Sequence, residues 1–111
     1  MIKLAILLKR REGMTHQEFL NYRRDIHLPL LLSIPETKQY VRKFIFSASI
    51  QAPGYPDPIY DAMVEAWFDS LEDLNAFFLS DNFVNKVDPD HVHFLDVPAA
   101  VRLITEESVV I

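Results

Sequence analysis

Of the side chains here that can move protons near neutral pH, His27 stands out by its setting. It lies near the end of residues 15–32, THQEFLNYRRDIHLPLLL, beside an apolar stripe of Phe19, Tyr22, Ile26 and Leu30. An imidazole so placed can take a proton from a carbon next to a carbonyl and return one elsewhere without a large pKa shift. A packed, hydrogen-bonded histidine accounts for the same pattern. Glu65 stands inside the apolar run YDAMVEAWF. Burial there demands a cation, Arg42 or Arg102 across a sheet, or else a raised pKa. Trp67 and Met63 alternate onto the same face as Glu65, where they either pack or line a pocket. His91 and His93, among Asp88, Asp90 and Asp96, have the residue types of a metal site. Histidines at i and i+2 share a face only on a strand, however, and Pro89 argues for a loop, so no metal is assigned. His16 opens a helix and reads as surface.

Composition closes off several alternatives. The chain has no cysteine, which excludes disulfides, thiolate metal sites and a cysteine nucleophile. No Gly-x-Gly-x-x-Gly or phosphate-loop pattern supports nucleotide binding. The net charge is −5 and the basic residues are scattered apart from Lys9-Arg10-Arg11 and Arg23-Arg24, which argues against nucleic acid. No segment approaches the roughly 20 apolar residues of a membrane span, and residues 4–8 are too short for a signal peptide. A soluble cytoplasmic protein is the expectation. The 111 residues suit one domain, 1–111, and the 50% hydrophobic content exceeds what a small monomer readily hides.

The elements that must position these groups follow in order. Residues 2–9, IKLAILLK, form a nearly continuous apolar strand. Gly13 lies in the turn to the helix, which Thr15 and Glu18 start as a capping box. Pro29 weakens that helix, leaving His27 in its last regular turn, where the helix dipole favours a protonated ring. Pro35 breaks regular structure. Residues 38–49 are a second strand, with Tyr40, Arg42, Phe44 and Phe46 on one face and Val41, Lys43, Ile45 and Ser47 on the other. A Pro-rich loop follows at 51–58. Residues 60–68 are a third strand, Ser70 caps a second helix with Leu71, Leu74, Phe77 and Phe78 inward, and 80–86 continue as a helical piece. Residues 88–96 are a charged connection, 98–106 the last strand, and 108–111 an apolar tail. The order β-α-β-β-α-β is the ferredoxin-like arrangement, an α+β fold with a four-stranded antiparallel sheet and both helices on one face. The strands are apolar on both faces, so a second copy covering the bare face, as a homodimer, is expected.

At this resolution the residues resemble the EthD-like family of the dimeric α/β barrel superfamily. The likeness rests on IKLAILLKRREGMTHQEF at the start, on the Arg-x-x-x-His-x-Pro-Leu segment from Arg23 to Leu30, and on EAWFDSLEDL from Glu65 to Leu74. Residues 90–96 and 104–107 fit as well. Leu28 stands where a small residue is common, Glu36 where glycine is common, and the loop at 51–58 has no clear counterpart. The resemblance implies a homodimeric barrel with no bound cofactor. Its enzymatic members resemble cofactor-independent isomerases, lyases or dehydratases acting on lactone, aromatic or polyketide-like molecules in degradation or biosynthesis. In methylmuconolactone isomerase-like relatives a helix-end histidine and a tyrosine early in the second strand face the pocket, positions matched by His27 and Tyr40. The catalytic candidates are therefore His27 and Tyr40, with Tyr22, Glu65 and Trp67 as candidates to bind substrate. A noncatalytic small-molecule-binding or accessory dimer of a catabolic operon is the alternative.

Overall fold

The computed structural model describes residues 1–111. Strands β1 (Ile2–Leu8), β2 (Val41–Ala48), β3 (Ala62–Phe68) and β4 (Val101–Glu106) form one antiparallel sheet in the order β2-β3-β1-β4. The register aligns Arg102, Ile6, Val64 and Phe46 in one row across all four strands. Period-two alternation then places Leu4, Ile6, Leu8, Ala62, Val64, Ala66 and Phe68 beneath the helices. Lys3, Glu65 and Trp67 fall on the opposite face.

Over the sheet run α1 (His16–Tyr22), α2 (Leu28–Ser33), α3 (Pro35–Tyr40) and α4 (Leu71–Phe78). The capping box at Thr15 is present in both directions, and the Ser70 hydroxyl accepts from the Asp73 amide. One core cluster joins Leu4, Leu31, Ile34, Phe68, Leu74, Phe77, Phe83 and Val87; a second joins Leu8, Phe19, Val64, Phe94 and Leu95.

The first helix departs from expectation at its centre. The helix continues through Pro29, and the weakening expected there falls on the turn before it. Residues Arg23–His27 widen into a π-helical turn, with the Leu28 amide bonded to the Arg23 carbonyl, and the chain continues directly into α2. Proline offers no amide to the carbonyl four residues back and its ring crowds that group, so a wider turn relieves both problems. The extra residue rotates everything after it by one position. Ile26, expected inward, is 49% exposed, while His27 turns toward the interior and Leu31, rather than Leu30, is buried. His27 consequently sits within a continuous helical segment, with no terminal dipole to favour its protonated form.

Two further differences bear on the site. Pro35 starts α3 instead of breaking the chain, which suits a residue whose missing amide is unneeded in a first turn. That places Tyr40 at the end of α3 and delays β2 to Val41. A bulge between Val41 and Lys43 then moves Val41 onto the helix-side face with Phe44 and Phe46, and Arg42 leaves the ladder to pair with Asp69 at 2.9 Å. Residues 88–93, expected as a charged connection, coil into a 3-10 helix, and β4 begins only at Val101 after a second such turn at Val97–Ala99. No helix is long and apolar enough to cross a membrane.

Candidate active site

A cavity of about 290 Å³ opens between the helices and the sheet. Hydrophobic side chains make up 17 of its 22 lining residues, so it suits a mostly apolar ligand. The polar exceptions, Arg23, His27, Asp88, His91 and Arg102, are the groups able to do chemistry or fix orientation.

The π turn delivers His27 to this cavity. Its Nδ1 lies 2.9 Å from Oδ2 of Asp90 on the 3-10 helix. A carboxylate can only accept, so Nδ1 carries the proton and Nε2 carries the lone pair. Nε2 has no hydrogen-bond partner within the protein, and it is not a sealed, orphaned atom. The cavity is where it can act. Burial holds the His27 pKa below the usual histidine value, outweighing the hydrogen bond to Asp90, and the neighbouring His91 and Arg23 charges push the same way. His27 is therefore a neutral imidazole at pH 7, the form that accepts a proton.

Asp90 is clamped from its other side. The Tyr22 hydroxyl donates to Oδ1 at 2.6 Å, and the carboxylate and His27 side chains are each 12% exposed. Burial opposes the Asp90 charge, but the hydrogen bonds from Tyr22 and His27 prevail and keep its pKa below the usual range. Burial, followed by the bond to Asp90, raises the Tyr22 pKa to about 12, so its hydroxyl stays a donor. Tyr22–Asp90–His27 is thus a chain of charge-assisted hydrogen bonds that fixes one tautomer and one ring orientation.

A second histidine stands beside the first. The His91 ring centroid lies 4.7 Å from that of His27, tilted by 44°, and its Nδ1 lies 3.1 Å from Oδ1 of Asp88. Phe94 packs 4.7 Å from the His27 ring and stacks 5.2 Å from Tyr22. Two imidazoles, each held through Nδ1 by a carboxylate, leave two Nε2 atoms for a ligand. His93 lies on the exposed side of the 3-10 helix, apart from this pair.

Of the five residues singled out from sequence, only His27 lines the cavity. Tyr22 sits behind it and holds Asp90. Tyr40 closes α3, does not line the cavity and makes no hydrogen bond to His27, so the expected pairing from an adjacent strand is not formed. Glu65 and Trp67 lie on the opposite face of the sheet. There Glu65 pairs with Lys3 at 2.9 Å, rather than with Arg42 or Arg102, and the Trp67 indole donates to Glu107. Trp67 also has the Lys3 and Lys43 ammonium groups 5.4 and 4.9 Å from its ring. The sequence presents Asp90 and His91 only as metal-ligand types and Arg23 only as one of a basic pair, whereas the structure gathers all three around His27.

Comparison with known proteins adds the family. The EthD domain model matches residues 11–98. The chain belongs to the EthD family. Among solved structures, an EthD family protein from Bacillus halodurans superposes with a TM-score of 0.75 at 23% identity, covering 97% of this chain and 99% of that one. A dimeric ferredoxin-like protein of unknown function from Bacteroides fragilis superposes with a TM-score of 0.68 at 16% identity, covering 96% and 95%. Among characterised proteins, the dehydratase ustZ of Ustilaginoidea virens is 28% identical over 91% of this chain and 79% of its own length. The α+β ferredoxin-like fold of this EthD protein is shared with these neighbours, and the likeness to a dehydratase fits a small-molecule-processing domain.

Proposed function

We propose that this EthD protein is a cofactor-independent isomerase or lyase in which His27 acts as general base on a lactone, aromatic or polyketide-like small molecule. The observation that carries the reading is the Tyr22–Asp90–His27 chain, which leaves a neutral Nε2 at an apolar cavity. Nε2 takes the proton from a carbon activated by an adjacent carbonyl, and the imidazolium so formed is stabilised by the Asp90 carboxylate. The proton returns either at another carbon, which isomerises the molecule, or at a departing hydroxyl, which dehydrates it. The His27 imidazolium is the acid that returns this proton, while His91, held through Nδ1 by Asp88, presents an Nε2 lone pair that can accept a hydrogen bond from a substrate hydroxyl or enol. The dehydratase relative supports this class of chemistry.

A homodimer formed through the open sheet face belongs to the same proposal. Leu103 and Val101 are 62% and 46% exposed there, and the Bacteroides fragilis neighbour is dimeric. Light scattering should give a dimer mass that Leu103→Asp lowers to that of a monomer.

The catalytic reading is tested by deuterium incorporation from D2O into 2-tetralone and by isomerisation of α-angelica lactone, both followed by NMR. The wild-type protein should accelerate at least one of these. His27→Gln should abolish that acceleration while thermal unfolding shows a folded protein. Turnover unchanged in His27→Gln refutes the assignment. Binding of these compounds without exchange or isomerisation favours the noncatalytic binding protein.

A further inference from the structure

Arg23 is a cation lining the cavity with no carboxylate in ion-pair contact, since the one carboxylate of the lining, Asp88, is turned to His91. Arg23 projects from the π turn, four residues before His27, and the two are neighbours on one helical face. Its guanidinium carbon sits 3.7 Å above the centre of the Phe46 ring, close enough for a cation–π contact. The arginines held in ion pairs are Arg10, Arg24 and Arg42, and no carboxylate lies within ion-pair distance of Arg23. Burial alone perturbs its pKa, which is lowered, so its charge is desolvated without compensation by a neighbouring carboxylate. A desolvated, unpaired guanidinium is costly, and an aromatic face is a weak substitute for an anion.

The floor beneath it is apolar. In the row that crosses the sheet, Phe46 and Arg102 stand at the two ends, with Val64 and Ile6 between them. All four line the cavity, and Arg102 is likewise in no ion pair. Three strand spacings, about 14 Å, separate the row's ends. A flat molecule can lie along this row over Val64 and Ile6, with its charged end at the edge of the Arg23 guanidinium, whose face Phe46 already covers.

We propose that Arg23 is the anchor of an anion subsite, and that the ligands of this cavity are planar, largely apolar molecules bearing a carboxylate. The guanidinium offers a planar fork of donors that matches a carboxylate in a two-point contact, and the Phe46 ring keeps that fork in place before the ligand arrives. This deepens the reading of the cavity as a small-molecule site and rests on it. It fixes orientation as well as class: the carboxylate sits about one helical turn from His27, which puts the reacting carbon a few bonds away from the charge.

The test uses 2-naphthoate and its neutral counterpart 2-naphthamide, each titrated calorimetrically into the wild-type protein and into Arg23→Gln, Arg23→Lys and His27→Gln, with thermal melts as the fold control. The wild type should bind the carboxylate about tenfold more tightly than the amide, the effect of one charge-assisted contact. Arg23→Gln should bring that ratio close to one, and Arg23→Lys, which keeps a point charge and loses the fork, should keep only part of it. His27→Gln should keep the preference. An equal affinity for the two compounds in the wild type overturns the proposal, as does failure of both to bind. A preference that survives in Arg23→Gln also overturns it, and loss of the preference in Arg102→Gln then moves the subsite to the other end of the row. Should Arg23→Gln unfold, an Arg23→Lys protein with the full wild-type ratio counts against the two-point contact. If His27→Gln leaves turnover untouched while the carboxylate preference holds, the catalytic reading fails and the subsite stands.

Discussion

Replacing Asp90 with asparagine changes almost no volume and removes one charge, so it isolates what the carboxylate does. In the native site Oδ1 accepts from Tyr22 at 2.6 Å and Oδ2 accepts from His27 at 2.9 Å. Asparagine has one acceptor and one NH2 group. If its oxygen stays with Tyr22, the NH2 group faces Nδ1 of His27. Nδ1 must then give up its hydrogen, the proton moves to Nε2, and the lone pair leaves the cavity. If the oxygen turns to His27 instead, the Tyr22 hydroxyl is left facing a donor. Either way one charge-assisted hydrogen bond is lost, a contact worth about 1.5–3 kcal/mol. Charged entirely to the reaction barrier, that is a rate loss of roughly 10- to 150-fold at about 1.4 kcal/mol per tenfold. Initial rates of deuterium exchange measure the kinetic part, and thermal unfolding measures whatever share falls on stability. Asp90→Asn exchanging within twofold of the wild-type rate, with an unchanged melting temperature, would refute the positioning role.

Other outcomes follow from the same geometry. Tyr22→Phe deletes one donor to Asp90 and leaves the other, so it should cost about 1–2 kcal/mol of stability and slow exchange less than Asp90→Asn does; an exchange rate lower than that of Asp90→Asn would give Tyr22 a direct role. His91→Phe keeps a ring and removes the Nε2 acceptor, so it should slow exchange by about tenfold, the effect of one lost hydrogen bond of about 1–1.5 kcal/mol, and by less than His27→Gln does. The pH profile of exchange should have its acid limb below the ordinary histidine value of about 6.5, because burial lowers the His27 pKa. The same shift sets the sign for stability. The unfolded chain protonates this histidine first as pH falls, so its contribution is complete above about 6.5 and is lost as pH falls from there toward the folded-state value. An acid limb well above 6.5, or no difference in the pH dependence of melting between wild type and His27→Gln, contradicts this.

Much of the fold can be read from local patterns. Apolar runs with period-two alternation gave the strands, Thr15 with Glu18 gave the helix start, and the element order gave the sheet with its helices on one face. His27 was legible because an imidazole beside an apolar stripe is an uncommon placement. Its mode of exposure was not. A regular 3.6-residue period points Ile26 inward, and only the π turn ahead of Pro29 moves that role to His27. Pro29 was a visible signal, though a proline announces a disturbed turn without saying whether the helix stops or widens. A proline breaks a chain or starts a helix equally well, and because Pro35 starts one, Tyr40 closes α3 instead of opening β2. DPDHVH carries turn and charge signals and metal-ligand residue types, and none of these points to Asp90 and His91 as companions of His27. Their role depends on a contact with His27 across 63 residues of chain, which no local pattern encodes. Arg23 lies inside the most recognisable segment of the sequence, yet composition marks it only as one of a basic pair with Arg24, since one residue of helical rotation separates the cavity from solvent.

The most direct test of the account is the protonation and tautomer of His27, read from long-range 1H–15N correlation of the imidazole rings between pH 5 and 8. The geometry predicts a neutral ring at pH 7 with the proton on Nδ1, a midpoint below about 6.5, and an Nε2 resonance that shifts when 2-tetralone is added. A ring already protonated at pH 7, or a neutral ring with its proton on Nε2, would leave no base facing the cavity and would contradict the mechanism.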